Sequence, residues 1–546
     1  MTSAFILKPR LSRFNLTCPQ RLQTIARQAP EPVYAREPPP LGLASGSTIR
    51  MRSTLRSAWR SAVALAAITL GAGISGCAVG PDYETPALSL SSFHSVGSVL
   101  TRKNNSPPPL DTWWTGFNDP TLTRIIRRAL DQNLDLAASL ARVEQARAAA
   151  QEAGAQLLPT SNLTGQTTAI RQSLESPIGA LGKNLPGFER NISLFDPGIS
   201  SSWEIDLFGG LRRGAEAASA EAEAAEAARF GTRISVAADA GDAYFQIRGD
   251  QARIAAIEGQ IVADTRLLDL VRLRFAGGLA TARETAQAEA LLYQARTALQ
   301  PLRIDLEAQL NRLDILMGAQ PGAYAAELRS PASIPAIPRV YGGDKPIEVL
   351  RRRPDVVAAE RRVASSNARI GEAISGYYPK ISISGLLGFE SMSVSHLFRS
   401  TTFQPQVVSG LRWRLFDFGK IDAEVAQAEG ARAEALARYR QSILHAAEDV
   451  ENAFTALVQS QARTNELQRE IAALKRSRDL TQDAYRAGAI PLTDVLDADR
   501  QLLVAKDEFF RSRADTARAA VRSFRALGGM PTSEEPATRA DQSSAI

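Results

Sequence analysis

The chain is poor in the residues that build metal centres, disulfides and nucleophilic active sites. Its 546 residues include two cysteines and three histidines, and the histidines, His94, His396 and His445, are scattered along the sequence. We expect each to be a surface or packing residue rather than a ligand. No glycine-rich phosphate loop follows a strand pattern, and no Ser/His/Asp grouping stands out. The sequence therefore predicts no catalytic residue, no metal and no cofactor apart from a covalent lipid.

A long apolar run is also missing. The longest candidate near the amino terminus, residues 61–74, is too short and too alanine-rich to cross a bilayer comfortably. It follows Arg52, Arg56 and Arg60 and leads into Ile74-Ser-Gly-Cys77. This order is typical of a bacterial lipoprotein signal, in which small residues precede the cysteine that becomes acylated. We predict a covalent lipid on Cys77, with an uncleaved membrane anchor as the alternative.

The amino-terminal segment also sets the apparent charge of the chain. Residues 1–50 show no periodic pattern, so we infer that translation starts at Met51, with a genuine extended leader as the alternative. Without residues 1–76, which include Cys18, the chain keeps 54 basic and 56 acidic residues, and its formal charge changes from +6 to about −2. A mature protein with Cys77 alone has no internal disulfide. Its charge gives no support to a nucleic-acid partner. The residue after the cysteine is Ala78 rather than an aspartate, which favours the outer membrane over the inner membrane.

What the chain does have is an internal repeat. The segment from Phe208 to Gly318 matches, without a gap, the segment that lies 210 residues later. Upstream, residues 135–159 reappear as residues 355–379, at a spacing of 220. The first copy therefore holds ten extra residues between Pro159 and Trp203, where we expect an exposed loop.

Each copy contains long stretches with few prolines, at residues 210–275 and 282–318 in the first and 420–488 and 492–528 in the second. Apolar positions in the first copy alternate spacings of three and four, which is the period of a left-handed coiled coil. One such series is Ile254, Ile257, Ile261, Asp264, Leu268, Val271 and Phe275. In the second copy the pattern is weaker and Arg478 interrupts it. We predict long antiparallel helices in both copies.

Between the helical stretches the apolar period switches from 3.5 to 2. Residues 199–207, 381–389 and 409–415 alternate in this way, and residues 160–170 are a poorer fourth case. Each copy would then contribute one hairpin of two strands with about ten residues each, the length of a tilted membrane strand. Four strands cannot close a membrane barrel, so a barrel requires oligomerisation. A soluble antiparallel sheet packed on the helices is the alternative.

Several short motifs carry a resemblance to a known family. They are Cys77-Ala-Val-Gly-Pro-Asp-Tyr83, Trp113-Trp114 with Phe117 and Asp119-Pro120, Arg352-Arg-Pro-Asp355 with Ala359-Glu360, Asp206-Leu-Phe-Gly209, Phe416-Asp-Phe-Gly419, and Tyr485-Arg-Ala-Gly488 with Asp494-Val-Leu-Asp497. In this combination the chain resembles the bacterial outer-membrane efflux proteins, the TolC-like channels, and in particular their OprM/NodT-type lipoprotein branch. The resemblance implies a homotrimer in which twelve strands form one outer-membrane β-barrel, continued by twelve helices as a hollow periplasmic tunnel.

The predicted organisation is an α+β membrane protein with two copies of a strand-pair-plus-helix unit. Its segments are a leader and signal peptide (1–76), a first repeat (77–319) with a strand hairpin at about 160–208 and long helices at 210–318, a proline-rich connector (320–346), a second repeat (347–528) with a hairpin at about 380–416 and helices at 420–528, and a tail (529–546). The resemblance implies that residues 77–132, the connector and the tail form an equatorial belt.

Asp494 and Asp497 lie three residues apart and therefore on one helix face, just past a predicted turn. The resemblance implies that these carboxylates line a periplasmic gate, where a threefold axis would make them two stacked rings of three. Like charges in a ring raise one another's pKa and attract cations. The first copy has Glu284 and Gln287 at the equivalent positions. A solvated coiled-coil face is the alternative to a gate.

Some relatives carry an arginine two residues after the turn glycine, where it latches the closed tip. The corresponding residues here are Ile490 and Ala280, so this latch is not carried over. A salt bridge from Arg486 or Arg283 is our hypothesis for a substitute.

Four charged residues would face the barrel lumen by alternation: Glu204, Asp206, Arg412 and Arg414. Their mixed signs argue against strong charge selectivity. Trp203 and Trp413 would face lipid near an interface. In a soluble sheet, these residues would instead pair at the strand ends.

The turns at Gly277-Gly278 and Gly488-Ala489 are small and apolar. The resemblance implies that they dock, tip to tip, on a periplasmic adaptor (membrane fusion protein) coupled to an inner-membrane pump, for which the lipoprotein branch favours the resistance-nodulation-division type. A tight interhelical turn, which needs glycine anyway, is the alternative. The implied function is a passive exit duct for drugs or other small molecules in a tripartite efflux system. A periplasmic adaptor and a structural coiled-coil lipoprotein are the alternatives.

Overall fold

The computed structural model describes residues 78–87, 91–94, 108–340 and 346–530, so the predicted signal peptide and Cys77 lie outside the described residues. The first half contains a 3-10 helix (Leu110–Phe117), α1 (Pro120–Gln132), α2 (Leu134–Ala155), β1 (Thr160–Arg171), α3 (Pro177–Gly182), β2 (Asn191–Ile205), α4 (Gly210–Ala276) and α5 (Ala282–Leu316). The second half contains α6 (Ala325–Leu328), α7 (Pro346–Arg351), α8 (Pro354–Ser375), β3 (Lys380–Phe389), a 3-10 turn (Val394–His396), β4 (Phe403–Arg412), α9 (Lys420–Arg486) and α10 (Leu492–Leu527).

The two halves have helices of equal length at constant spacing. Helices α4 and α9 both have 67 residues and begin 210 residues apart. Helices α2 and α8 both have 22 residues and begin 220 residues apart. The first hairpin is longer than the second, partly in the loop at residues 172–190 and partly in its strands, which have 12 and 15 residues against 10 and 10. The link from the last strand to the long helix is shorter in the first copy (206–209 against 413–419), which leaves a net difference of ten residues.

Glycine and aspartate residues start both long helices. Gly209 and Gly419 have φ values of 77° and 82°, in the left-handed region that favours glycine. Just before them, Asp206 and Asp417 each accept a 2.9 Å hydrogen bond from a backbone N–H of the first helical turn. These bonds satisfy N–H groups that a helix start leaves without a partner, and the carboxylates complement the helix dipole.

The four strands form one antiparallel sheet in the order β1-β2-β3-β4, so the two hairpins meet where β2 pairs with β3. Cross-strand register places exposed apolar side chains on one face, namely Leu163, Ile199, Trp203, Ile383, Leu387, Val407 and Leu411. The opposite face is mainly polar and includes Asn162, Ser200, Ser202, Glu204, Ser384, Gln406 and Arg412. Strands β1 and β4 form the two outer edges of this sheet.

The largest hydrophobic core of the described residues lies at the middle of α4 and α9 and at the carboxyl-terminal ends of α5 and α10. The Trp113 ring stacks on Phe524 of α10 with 5.5 Å between centroids, and Phe117 contacts Phe245 of α4 at 4.9 Å. Connector residues Leu328, Ile334 and Val340 join the same cluster. Since burying one such side chain contributes roughly 1.5–3 kcal/mol, these contacts hold the described parts of the amino-terminal segment and the connector against the helices. None of the helices in the described ranges has an apolar stretch that would carry it across a membrane.

Candidate functional site

The two long hairpins, α4–α5 and α9–α10, end in turns of the same geometry, which we call the tips. At the first tip, Gly278 has φ 70° and Leu279 N–H donates to the Arg274 carbonyl at 2.8 Å. At the second, Gly488 has φ 78° and Ala489 N–H donates to the Ala484 carbonyl at 2.9 Å. The predicted docking residues Gly277, Gly278, Gly488 and Ala489 are all exposed. This geometry satisfies the final helical carbonyls and explains a glycine at each tip.

The two tips pack against each other through an apolar cluster, which we call the tip cluster. Its buried members are Leu267, Leu268, Val271, Ala288, Leu292, Tyr485, Leu492 and Val495, and Ala280 and Ile490 pack against it. The two positions at which some relatives carry a latch arginine are therefore occupied here by apolar residues that pack against the tip cluster. Arg486 pairs with Asp483 of its own helix at 3.3 Å.

A different arginine links the tips. Arg274, in the last turn of α4, donates from Nη1 to the Tyr485 carbonyl at 3.0 Å, and its guanidinium lies 4.6 Å from the centroid of the Tyr485 ring. A cation suits this place because the end of α9 carries the negative end of a helix dipole. Arg274 was not among the predicted latch residues, although a basic residue in the last helical turn was visible in the sequence.

The predicted gate acids Asp494 and Asp497 are both exposed on the first turns of α10. Asp494 Oδ1 accepts from Thr493 Oγ1 at 3.3 Å, and Asp497 Oδ2 accepts from Gln501 Nε2 at 2.6 Å. Both partners are neutral side chains, and the two carboxylates face solvent near the second tip.

The equivalent residues of the first copy are bound locally. Glu284 forms a capping box with Thr281, whose N–H and Oγ1 donate to Glu284 Oε2 at 2.6 and 2.9 Å. These hydrogen bonds lower the pKa of the Glu284 carboxyl. Gln287 is half-buried, and its Oε1 has no hydrogen-bond partner in the described part of the chain. The first copy therefore offers little exposed charge beside its tip.

At the sheet end of the molecule, Glu204 and Arg412 lie on the polar face of the four strands. Lys380 donates to Glu204 Oε1 at 3.0 Å and stands directly opposite Arg412 in the register of β3 and β4. Lys380 was missed from the sequence, although the alternation that places Ile381 on the apolar face assigns Lys380 to the polar face. The end of this face thus carries two cations and one anion per chain.

The other two predicted lumen residues lie beyond the strands. Asp206 follows the last residue of β2 and caps α4, where it also contacts Arg212 Nε at 3.3 Å. Arg414 follows the end of β4 and lies 3.6 Å from Glu424 of α9. The alternating pattern therefore ends before these two residues, and both bind the starts of the long helices.

The two tryptophans make matching hydrogen bonds. Trp203 Nε1 donates to the Leu157 carbonyl and Trp413 Nε1 donates to the Tyr377 carbonyl, both at 2.9 Å. Each indole thereby ties the end of a strand hairpin to the turn that enters it. Both rings remain exposed, which suits an amphipathic side chain at a membrane interface.

The residues that follow Cys77 lie against the junction of β2 and α4. Val79 N–H donates to the Phe208 carbonyl at 3.1 Å, and Arg213 Nη2 donates to Asp82 Oδ1 at 2.6 Å. A Cβ on Gly209 would lie 2.7 Å from the Ala78 Cα, so this close approach needs glycine. We call residues 78–83 the strap.

The three histidines do not come together. His94 lies 3.0 Å from Glu451 and His445 lies 3.3 Å from Glu448, so each of these two rings contacts its own acid. Within the described residues, no group of three or more His, Cys, Asp or Glu side chains is arranged to hold a metal ion.

The sequence profile of one protein family, described as outer membrane efflux protein, matches residues 125–319 and 346–529, which is well over half of the chain. The chain belongs to the outer membrane efflux protein family. Among its relatives, nodulation protein T of Rhizobium leguminosarum bv. trifolii is 29% identical over 443 residues, which cover 80% of this chain and 91% of that protein. Outer membrane protein OprJ of Pseudomonas aeruginosa is 30% identical over 476 residues, which cover 85% and 94%.

Solved structures of outer-membrane channels share the fold of this efflux protein. The outer-membrane channel OprN matches with a TM-score of 0.76 at 31% identity, over 83% of this chain and 99% of that one. The CmeC outer membrane channel of Campylobacter jejuni matches with a TM-score of 0.77 over 84% and 96%, and its 23% identity supports the fold alone.

These matches confirm the predicted family, the outer-membrane location and the role as an outer-membrane duct for efflux. They favour this role over the two alternatives, a periplasmic adaptor and a structural coiled-coil lipoprotein. The named relatives are channel and efflux components rather than enzymes.

Proposed function

We propose that three copies of this efflux protein close their sheets into one twelve-stranded barrel and surround one passage, which continues as a periplasmic tunnel of antiparallel coiled-coil helices. The observation that carries the proposal is the four-stranded sheet with one exposed apolar face and two outer edges. A membrane tolerates strands only in closed barrels, because open edges leave backbone groups without partners. Four strands are too few to close, and three chains supply twelve.

The contact between the two halves of one chain supports the same assembly. Phe208, at the exit of the first hairpin, stacks on Tyr378, at the entrance of the second, with 4.5 Å between ring centroids. The repeat equivalents of these residues are Phe418 and Leu158. Phe418 is fully exposed and Leu158 is 64% exposed. In a closed ring, Phe418 of one copy would contact Leu158 of the next, just as β4 of one copy would pair with β1 of the next.

Cross-linking tests this arrangement directly. A variant with Phe418→Cys and Leu158→Cys, treated with a short bismaleimide in detergent, should give covalent dimers and trimers on a denaturing gel. The matched control, Phe208→Cys with Tyr378→Cys, should cross-link within one chain and migrate as a monomer. The parent protein provides the background, since its native cysteines are Cys18 and Cys77. Only monomers from both variants would contradict the ring.

Within this assembly, the acids near the second tip would form the periplasmic gate. A threefold axis turns Asp494 and Asp497 into two rings of three carboxylates. Glu284 would contribute less because Thr281 already binds it. The polar face of the sheet would line the outer part of the duct, with Glu204, Lys380 and Arg412 at its inner end.

We also propose an adaptor and an inner-membrane pump, of the resistance-nodulation-division type, as partners. The tips are exposed and include Leu279, an apolar side chain available for docking. A photoactivatable thiol probe on Ala489→Cys should label the adaptor in intact cells, whereas the same probe on Ala433→Cys, exposed on α9 far from the tip, should not. Equal labelling from the two positions would contradict docking at the tip.

The cargo is proposed to be chosen by the pump rather than by the duct. Relatives of this chain include a pyoverdine export outer membrane protein, OpmQ, of Pseudomonas putida and a toluene efflux pump outer membrane protein, TtgI, of the same species. The two names give different exported compounds, pyoverdine for one relative and toluene for the other. Because relatives with different exported compounds belong to one family, we expect the duct to tolerate many small molecules.

The lipid anchor at Cys77 belongs to the same proposal. The strap lies on the junction of β2 and α4, so an acyl chain on the preceding residue would start beside the inner end of the barrel. Mass spectrometry of the amino-terminal peptide should show a diacylglycerol on Cys77 and no residues before it. A mature chain that keeps residues 51–76 would contradict the lipoprotein signal.

A further inference from the structure

Two acids lie in the apolar seam between α4 and α10, above the tips. Asp264 of α4 is 1% exposed and Asp499 of α10 is 4% exposed. On α4, Asp264 lies between Ile257, of a second apolar cluster, and Leu268, of the tip cluster. On α10, Asp499 lies between Val495 of the tip cluster and Leu503 of the second cluster. This burial arises within one chain and does not depend on the proposed assembly.

Neither carboxylate is fully satisfied. Gln260 Nε2 donates to Asp264 Oδ1 at 2.7 Å, but Asp264 Oδ2 and Asp499 Oδ1 have no hydrogen-bond partner in the described part of the chain. Arg478 Nη1 lies 3.8 Å from Asp499 Oδ1, and its Nε lies 2.9 Å from Asp479, so this cation is shared between two acids. A buried carboxylate with an unpaired oxygen is costly, and protonation is the least expensive way to remove its charge.

The groups that interact with the two acids come from three helices: Gln260 of α4, Arg478 and Asp479 of α9, and Lys506 of α10. Lys475 of α9 interacts with Lys506. Burial, together with the charge of Asp499, raises the pKa of Asp264 to about 6. Burial also raises the pKa of Asp499, although Arg478 and Lys506 oppose the shift. Burial and the neighbouring Arg478 lower the pKa of Lys506. Desolvation therefore outweighs the nearby cations.

We propose that Asp264 and Asp499 form a buried proton-binding site that fills as the pH falls below neutrality and tightens the packing of α4 against α10. The proton comes from water and is held on a carboxyl oxygen, so one negative charge is neutralised and no other bond changes. Above neutrality, two negative charges remain in a dry seam, where they repel each other and attract water. A divalent cation fits less well, because Ca²⁺ requires six to eight oxygen ligands and Arg478 already approaches the pair.

A competing explanation is that the polar residues only fix the register of the helices, as a buried polar residue does in some coiled coils. The two explanations differ in whether the carboxyl groups of Asp264 and Asp499 titrate, since residues that only fix the register would keep a constant charge. They also differ in the pH dependence of stability. Because the folded pKa of Asp264 is raised, stability should fall as the pH rises from about 4 to about 6 and stay low above that range.

Infrared spectroscopy of the full-length protein in detergent tests the proton site. The carbonyl band of protonated carboxylic acids should contain a component that is present at about pH 5 and disappears with a midpoint near 6. Asp264→Asn should remove this component, and Asp499→Asn should shift its midpoint downward. The matched control, Asp269→Asn, changes an exposed acid on the same helix and should leave the component unchanged. A component that survives Asp264→Asn, or none at about pH 5, would overturn the proposal.

Conductance of the purified protein in planar bilayers tests the tightening, and this arm rests on the proposed function. Conductance of the wild type should rise between about pH 5 and about pH 7.5, and Asp264→Asn should flatten that rise. Equal pH profiles of wild type and Asp264→Asn would overturn the tightening. Protein that forms no channels at any pH would contradict the proposed assembly, while the infrared titration would still decide the proton site.

Discussion

In the first copy, Glu284 is bound by Thr281 at the start of α5, whereas in the second copy Asp494, at the equivalent position, points to solvent. The difference follows from one neighbouring residue. Pro491 replaces Thr281 in the second copy, and proline has neither a side-chain hydroxyl nor a backbone N–H to donate. The same backbone position therefore holds a helix-capping carboxylate in one copy and a solvent-exposed carboxylate, a member of the proposed gate, in the other.

In a second pair of equivalent residues, the charged side chain that is bound by partners lies in the second copy. Asn133 donates from Nδ2 to the Leu316 carbonyl at 2.9 Å, and Arg353, its equivalent, donates from Nη1 to the Ala526 carbonyl at 3.0 Å. Both side chains thus secure the last turn of the second long helix of their copy. Arg353 also binds two acids, so the second copy uses a buried charge where the first uses a neutral amide. The same position of the repeat can therefore hold a neutral amide in one copy and a buried guanidinium in the other.

The largest expected effect in this comparison comes from the Arg353 position. Arg353 is buried and lies 2.8 Å from Asp355 and 2.8 Å from Asp449. Arg353→Ala should reduce the free energy of unfolding by about 3 kcal/mol, because it leaves a helix-end carbonyl and two acids without their partner. Asn133→Ala should cost about 1–2 kcal/mol through the lost cap and hydrogen bond. Denaturant titration in detergent, followed by helical circular dichroism, measures both.

A conservative variant serves as the control for Arg353. Arg353→Lys keeps the charge but loses the several N–H donors of the guanidinium, so it should recover only part of the loss. Equal costs for Arg353→Ala and Asn133→Ala would mean that the additional ion pairs contribute nothing to stability.

The glycines that start α4 and α9 give the next largest difference. Gly419→Ala should lower the free energy of unfolding by about 1–2 kcal/mol, because a Cβ disfavours the left-handed backbone there. Gly209→Ala should cost about 1–3 kcal/mol more, since its Cβ would also displace Ala78 of the strap. Limited proteolysis should then cut the strap in Gly209→Ala and leave it intact in Gly419→Ala. A strap that resists cleavage equally in both variants would argue against this contact.

The repeat made much of the fold predictable. The spacings of 210 and 220 residues predict equal lengths for α4 and α9 and for α2 and α8, because matching periodic patterns select matching elements. The switch to a period of two fell within all four strands, but it missed the first eight residues of β2 and the first six of β4. The end of β4 was less clear, since alternation continues through Trp413 and Leu415 while the strand stops at Arg412. Alternation reports exposure, and it does not report where pairing ends.

The site was less predictable because its important contacts join distant parts of the chain. Arg274 meets Tyr485 only when the two tips pack together, and Lys380 meets Glu204 only when β2 pairs with β3. Asp264 was visible as a polar member of an apolar series. Its burial against Asp499 depends on the packing of α4 with α10, which no local pattern reveals.

The capping box of the first copy should have a smaller effect. Thr281→Ala should cost about 1 kcal/mol, the usual value of an N-cap side chain. Because the cap lowers the pKa of Glu284, its stabilisation is present above the ordinary pKa of 4.5 and is lost as the pH falls through the lowered value. Asp494→Asn, which changes the second-copy equivalent of Glu284, should not alter stability measurably. A loss as large as that of Thr281→Ala would show that Asp494 also caps its helix.

The smallest change is expected in conductance. Replacing Asp494 and Asp497 with Ala should raise the conductance of the isolated assembly in planar bilayers by about twofold, because shorter side chains widen the constriction and no longer hold cations there. The same measurement with Glu284→Ala and Gln287→Ala should give much less, since Glu284 is directed to Thr281 rather than to the passage. Unchanged conductance in the first variant would remove both acids from the gate. Equal increases in the two variants would mean that the bound and the exposed carboxylates contribute alike, and the difference between the copies would then be structural only.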